Sequence, residues 1–87
     1  MDFTGLNNLL SASVLVYPNP SNDGNFHIEL DGIISSVVIY DMLGRTIEVP
    51  FNAEHGTLDA SLLEAGEYFV SIHSNELVFI EQIIIIK

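Results

Sequence analysis

The sequence predicts an all-β fold, an antiparallel sandwich of seven short strands. Three observations carry that prediction. Apolar residues alternate with polar ones in run after run, the period of a half-buried strand. Gly, Pro, Asn and Asp punctuate those runs at roughly 8–12-residue spacing. Nowhere do apolar residues recur at helical spacing over three turns, so no long helix is expected.

Taken in order, the first strand is SVLVYP, closed by Pro18 and Pro20, which have no N–H to give to a ladder. An extended, polyproline-like exit through Asn19 is predicted there. Asp23-Gly24 then supplies a tight turn. In NFHIEL, Phe26, Ile28 and Leu30 share one face, opposite Asn25, His27 and Glu29. In SVVIYDM, Val37 and Ile39 look inward, leaving Val38 and Tyr40 as an apolar outer face. The turn DMLGR places Gly44 at its bend, with the Asp41 carboxylate set to accept backbone N–H groups and to pair with Arg45. TIEVPF sets Ile47, Val49 and Phe51 on one face. TLDASL is a shorter strand, followed by at most one helical turn over Ser61 to Ala65. Gly56 and Gly66 mark the turns on either side. EYFVSIH puts Tyr68, Val70 and Ile72 against Glu67, Ser71 and His73, and HSNE is a polar turn. ELVFIEQIIIIK is the last strand and the longest. Residues 1–12 read as the end of a linker, with Leu6, Leu9 and Leu10 tucked onto an edge, and residues 13–87 as the domain.

Composition narrows the function. Leu, Ile, Val and Phe fill 33 of the 87 positions, well above the roughly one-fifth below which chains stay disordered. The length fits one small domain with little room for a deep catalytic cleft. Two basic side chains, Arg45 and Lys87, stand against twelve acidic ones, for a formal charge of −10. No basic stripe for nucleic acid can be assembled, and an anionic membrane surface is disfavoured. The absence of cysteine removes disulfides and thiolate chemistry. Ile83 to Ile86 is far short of the roughly 18 residues a spanning helix needs, so no direct membrane insertion is expected. MDFTGLNNLL has no positive n-region and does not read as a signal peptide.

Candidate chemistry is sparse. His27, His55 and His73 fall on two outward strand faces and one turn, without the convergence a metal centre needs. No Gly-x-Ser-x-Gly elbow surrounds a serine. Pairs such as Glu64 with Glu67, or Asp59 with Glu64, read as a solvated acidic rim. NDGN lacks the remaining ligands of a calcium loop. No catalytic, metal or cofactor role is expected.

The final strand is the unusual element. Ile84 and Ile86 lie on one face and Ile83 and Ile85 on the other, whereas a sandwich strand has one inner face. The functional reading is an apolar strip, extended by Val38 and Phe69, that another chain covers. A receptor would draw main-chain hydrogen bonds from this edge while pockets take alternate isoleucines. A second copy pairing through the same strand, giving a homodimer, is a further expectation. Deleting Ile83–Lys87 should then abolish the receptor contact, whereas charge swaps at Glu48 or His27 should do little.

Three blocks stand in order over residues 14–87: VLVYPNPSNDGNFHIEL, VVIYDMLGRTIEV and LDASLLEAGEYFVSI, closed by ELVFIEQIIIIK. Together they resemble the C-terminal sorting domain, type A, of type IX (Por) secretion cargo proteins of Bacteroidetes. Pro18, Asn19, Pro20, Gly24, Asp41, Gly44, Arg45, Gly66 and Tyr68 fall on the family's marked positions. The resemblance implies a seven-stranded immunoglobulin-like sandwich at the end of a longer secreted or surface protein. Such cargo passes through the periplasm and an outer-membrane translocon. A sortase-like protease then removes the domain, upstream of the sandwich, for attachment to the surface or release. It also implies that the translocon reads the last strand and its basic end, here Gln82, Ile83, Ile84, Ile85, Ile86 and Lys87. The family usually carries more lysines there, so recognition of this chain would lean on the isoleucines. The alternative is an adhesive or carbohydrate-binding module, for which Tyr17, Tyr40 and Phe69 are the available exposed aromatics and Trp is absent.

Overall fold

The computed structural model describes residues 14–87. The expected linker end, with Leu6, Leu9 and Leu10, lies outside the described residues. Eight strands succeed one another: β1 (Val14–Tyr17), β2 (Asn25–Leu30), β3 (Ser36–Tyr40), β4 (Thr46–Ile47), β5 (Phe51–Asn52), β6 (Thr57–Asp59), β7 (Gly66–Ser74) and β8 (Leu77–Ile85). They form two antiparallel sheets of four, ordered β1-β2-β6-β5 and β4-β3-β7-β8. Among the described residues no helix is long and apolar enough to cross a membrane.

Eight strands replace the seven expected, because TIEVPF divides. Its first half, β4, pairs with β3, and its second half, β5, pairs with β6 in the other sheet. Glu48, Val49 and Pro50 carry the chain across. Pro50 cannot donate to a ladder, and its carbonyl instead accepts the Asp59 N–H at 2.9 Å. Ile47, Val49 and Phe51 all pack against the core, so period-two counting runs through the crossing without registering it. The residues after Ala60 form a turn rather than a helix, closed by the Leu63 N–H on the Ala60 carbonyl at 3.0 Å.

The core forms where the inward faces of both sheets meet. One sheet contributes Val16, Phe26, Ile28 and Leu58, the other Ile39, Val70, Ile72, Ile83 and Ile85, all buried. Each comes from the apolar phase of its strand's alternation, so the pattern in the sequence becomes packing directly. β7 and β8 pair over nine residues each, a ladder of about 30 Å. That ladder separates two poles. At one lie the start of β7, the end of β8 and the turn after Ala60; at the other lie the β7–β8 turn and Leu30, opposite Val14.

Three turn carboxylates serve as backbone acceptors. The Asn25 N–H at 2.9 Å holds Asp23 below the usual carboxylate range, with the Ser21 hydroxyl adding to it. Asp41 is lowered chiefly by the Arg45 N–H at 2.9 Å, then by the Arg45 guanidinium at 2.7 Å and the Leu43 N–H. Asp59 is lowered by the Ser61 hydroxyl and N–H. A carboxylate with a depressed folded-state pKa stabilises the fold above its unfolded value, near 3.9, and loses that contribution as pH falls through the folded value. Thermal unfolding midpoints should therefore drop below about pH 4. Relief of repulsion among the other acids acts in the opposite sense, so the comparison is with Asp41→Ala, whose acid limb should be shallower. An equally steep limb in the variant would show that the Asp41 bonds contribute nothing.

Candidate functional site: the C-terminal strand and the strap along its edge

β8 lies at one edge of its sheet, paired on one side with β7. Its side chains split by parity. Ile83 and Ile85 point inward and are 0% and 1% exposed, whereas Ile86 is 48% exposed and Ile84 half-buried. The two-faced isoleucine run thus has one face in the core and one turned out.

Main-chain groups alternate as well, and at this end the outward ones are occupied. The segment Pro18–Ser21, leaving β1, runs along β8 and makes a parallel bridge between Ser21 and Ile85. The Asn19 carboxamide behaves as a piece of backbone, donating to the Gln82 carbonyl at 2.7 Å and accepting the Ile84 N–H at 3.0 Å. Beyond it, the Ser21 N–H donates to the Ile84 carbonyl at 2.8 Å, and the Ile86 N–H to the Ser21 carbonyl at 2.9 Å. The Tyr17–Pro18 and Asn19–Pro20 peptide bonds are both cis. This strap corrects two expectations. The prolines do not lead into a free polyproline-like exit, and from the Gln82 carbonyl to the Ile86 N–H the outward main-chain groups are already bonded to the strap rather than open to a receptor. A strand edge left bare is an aggregation hazard, and here the chain's own segment covers it.

Ser21 anchors the strap. It is fully buried, and its Oγ accepts the Gly24 N–H at 3.0 Å while lying 3.0 Å from both Asp23 Oδ1 and the Asn25 carbonyl. Sequence reasoning passed over this residue; its signal was a serine two places before an aspartate and three before a turn glycine. Gly24 has φ +84° and its carbonyl accepts the Ala60 N–H at 2.9 Å, which ties the strap's turn to the turn after Ala60. Lys87 joins the same cluster. Its ammonium donates to the Ser61 and Leu63 carbonyls, each at 2.6 Å, so the basic end is seated on that turn.

Pro18, Asn19, Pro20, Gly24 and the residues from Gln82 to Lys87 therefore gather at one corner of the sandwich. Gly66 opens β7 opposite Ile85, and Tyr68 packs against the core while its hydroxyl donates to the Glu64 carbonyl at 2.8 Å. Asp41, Gly44 and Arg45 are used up in the β3–β4 turn, where the Gly44 N–H also donates to the Asp41 carbonyl. The histidines are scattered. His27 stacks on Tyr17 with ring centroids 5.5 Å apart, the His73 ring lies 3.1 Å from the Ser71 hydroxyl, and His55 sits in an exposed turn. Among the described residues no three His, Asp or Glu side chains gather as metal ligands would.

The model of the secretion system C-terminal sorting domain matches residues 15–87. No curated protein matches the chain. The matched span runs from β1 through the strap to the seated Lys87, taking in all of the geometry described above. On that match the chain belongs to the family of type IX secretion C-terminal sorting domains, whose members mark secreted or cell-surface proteins for the type IX machinery.

Proposed function

We propose that the domain is the folded address of a secreted or surface protein, read by the outer-membrane translocon at the end of β8. The observation that supports this most is the division of labour along Gln82–Lys87. Ile83 and Ile85 lock the strand into the core and the strap closes its edge, while Ile84 and Ile86 remain turned outward. A receptor would read outward side chains on a preformed strand, which limits the ordering cost of binding. The sheet orders β1-β2-β6-β5 and β4-β3-β7-β8 support an immunoglobulin-like reading of the sandwich. In this account the cargo crosses the periplasm, passes the outer membrane, and loses the domain to a sortase-like protease before attachment or release. Val14 enters at the pole opposite Lys87, about 30 Å from the corner such a receptor would hold. The carbohydrate-binding alternative has less support, because Tyr17 lies on one sheet while Tyr40 and Phe69 pair on the other.

A reporter protein fused ahead of residues 1–87, in a bacterium with a type IX system, tests the reading. The fusion should reach the surface or medium, shortened by the mass of the domain, and the reporter alone should stay in the periplasm. Equal export of both would overturn it.

A further inference from the structure

The outward faces of the two sheets differ in kind. On β2 and β6 the face of the first sheet carries Asn25, His27, Glu29, Thr57 and Asp59, the polar phase expected of a solvated face, with Leu15 and Tyr17 beside them on β1. The other carries Val38, Tyr40, Phe69, Val78, Ile80 and Ile84, together with Ser71, His73 and the hydrogen-bonded pair Glu67 and Gln82. Register makes these neighbours: Tyr40 stands opposite Phe69, and Val38 opposite Ser71, which faces Ile80. Ile80 is 65% and Val78 54% exposed. The strap stops at Gln82. By the alternation that points the Ile84 N–H and C=O away from β7, Val78 and Ile80 do the same. Among the described residues no backbone group bonds to them.

We propose that this open stretch of edge, Val78–Gln82, with the apolar face beside it, docks an extended segment of a partner protein. That segment is apolar at alternate positions and flanked by Lys or Arg. The inference rests on the reading of the chain as an address and names a second contact for the machinery that reads it. Free main-chain groups two residues apart call for an added strand, and exposed valine and isoleucine beside them for apolar side chains on it. Glu76 precedes the stretch and Glu81 lies near its far end, in a chain of formal charge −10, which calls for basic flanks. A second copy fits less well. The face spans on the order of 400–500 Å² from strand spacing and rise, below the roughly 800 Å² per partner of a stable interface, and two such acidic chains repel.

The probe is a nine-residue synthetic peptide alternating Ile and Thr between Lys pairs, titrated into the 87-residue chain, with a Glu-flanked twin as control. The Lys-flanked peptide should bind and slow hydrogen exchange at the Val78 and Ile80 amides. Ile80→Lys and Ile80→Thr should weaken it at least tenfold and threefold, with thermal midpoints unchanged, whereas Asn25→Lys on the polar face should not. Equal binding to Ile80→Lys, or to the Glu-flanked twin, would overturn the proposal. So would edge amides already protected in the free chain, whether by residues 1–13 (lost when they are removed) or by a concentration-dependent dimer. In the reporter fusion, Ile80→Lys should reduce export at least threefold. Unchanged export, with the tail itself still required, would reject this contact and leave the sorting role standing; export without the tail would reject the sorting role itself.

Discussion

Shortening Ile83 to alanine should destabilise the domain by about 2–5 kcal/mol. A chain of this length has about 4–13 kcal/mol of net stability to lose, so the variant should sit near or beyond the edge of folding. Ile83 is fully buried, faces Tyr68 across the β7–β8 ladder and belongs to the core cluster fed by both sheets. Truncation loses the transfer free energy of the removed methylenes and leaves a cavity between sheets that cannot close without shifting a nine-residue ladder. Ile84→Ala, one residue on but outward, should cost well under half as much. Denaturant midpoints at constant m-value give the comparison; equal losses at the two positions would contradict the assignment of faces. The same geometry changes what a deletion means. Removing Ile83–Lys87 takes two core residues and the seated lysine with it, so lost export in that variant would report unfolding as much as recognition.

Gly24→Ala should be the most damaging of the turn substitutions. At φ +84° the left-handed backbone alone costs an alanine about 1–2 kcal/mol. An added Cβ would also lie 2.7 Å from the Ala60 carbonyl oxygen and 2.8 Å from Ser61 Cα, backbone atoms that cannot swing aside. The Ala60 N–H to Gly24 carbonyl bond, the turn around Ser21 and the seat of Lys87 would be disturbed together. Gly44 supplies the control: its φ is +86°, yet nothing lies within 4 Å of the Cβ position, so Gly44→Ala should pay for the backbone conformation alone. Comparable midpoints for the two variants would show that the close approach at Gly24 is not maintained in solution.

These contrasts show what the residue pattern could convey. Alternation placed Phe26, Ile28, Val70 and Ile72 in the core because one strand's period is a local property. It also exposed the doubled character of the isoleucine run. It could not register the sheet change between Ile47 and Phe51, since all three apolar residues stay half-buried on either side of the crossing. Nor could it show that Asn19 closes the edge of β8. That contact joins residues 63 and 65 positions apart, and nothing local marks an asparagine between two prolines as a substitute for backbone. The Asp41 turn was legible because its bonds span two to four residues. The seat of Lys87 on the turn after Ala60 was not, being 24 to 26 residues away.

The central claim is that a folded domain is read at the outward side of its terminal strand. The double substitution Ile84→Thr/Ile86→Thr tests it most directly, because both positions lie off the core and threonine keeps the β-branched shape. The measurement is surface or medium delivery of a reporter carrying the substituted tail, beside the tail's own thermal midpoint. Delivery reduced at least tenfold with the midpoint within a few degrees of the parent is the predicted result; undiminished delivery by a folded double variant would contradict the account.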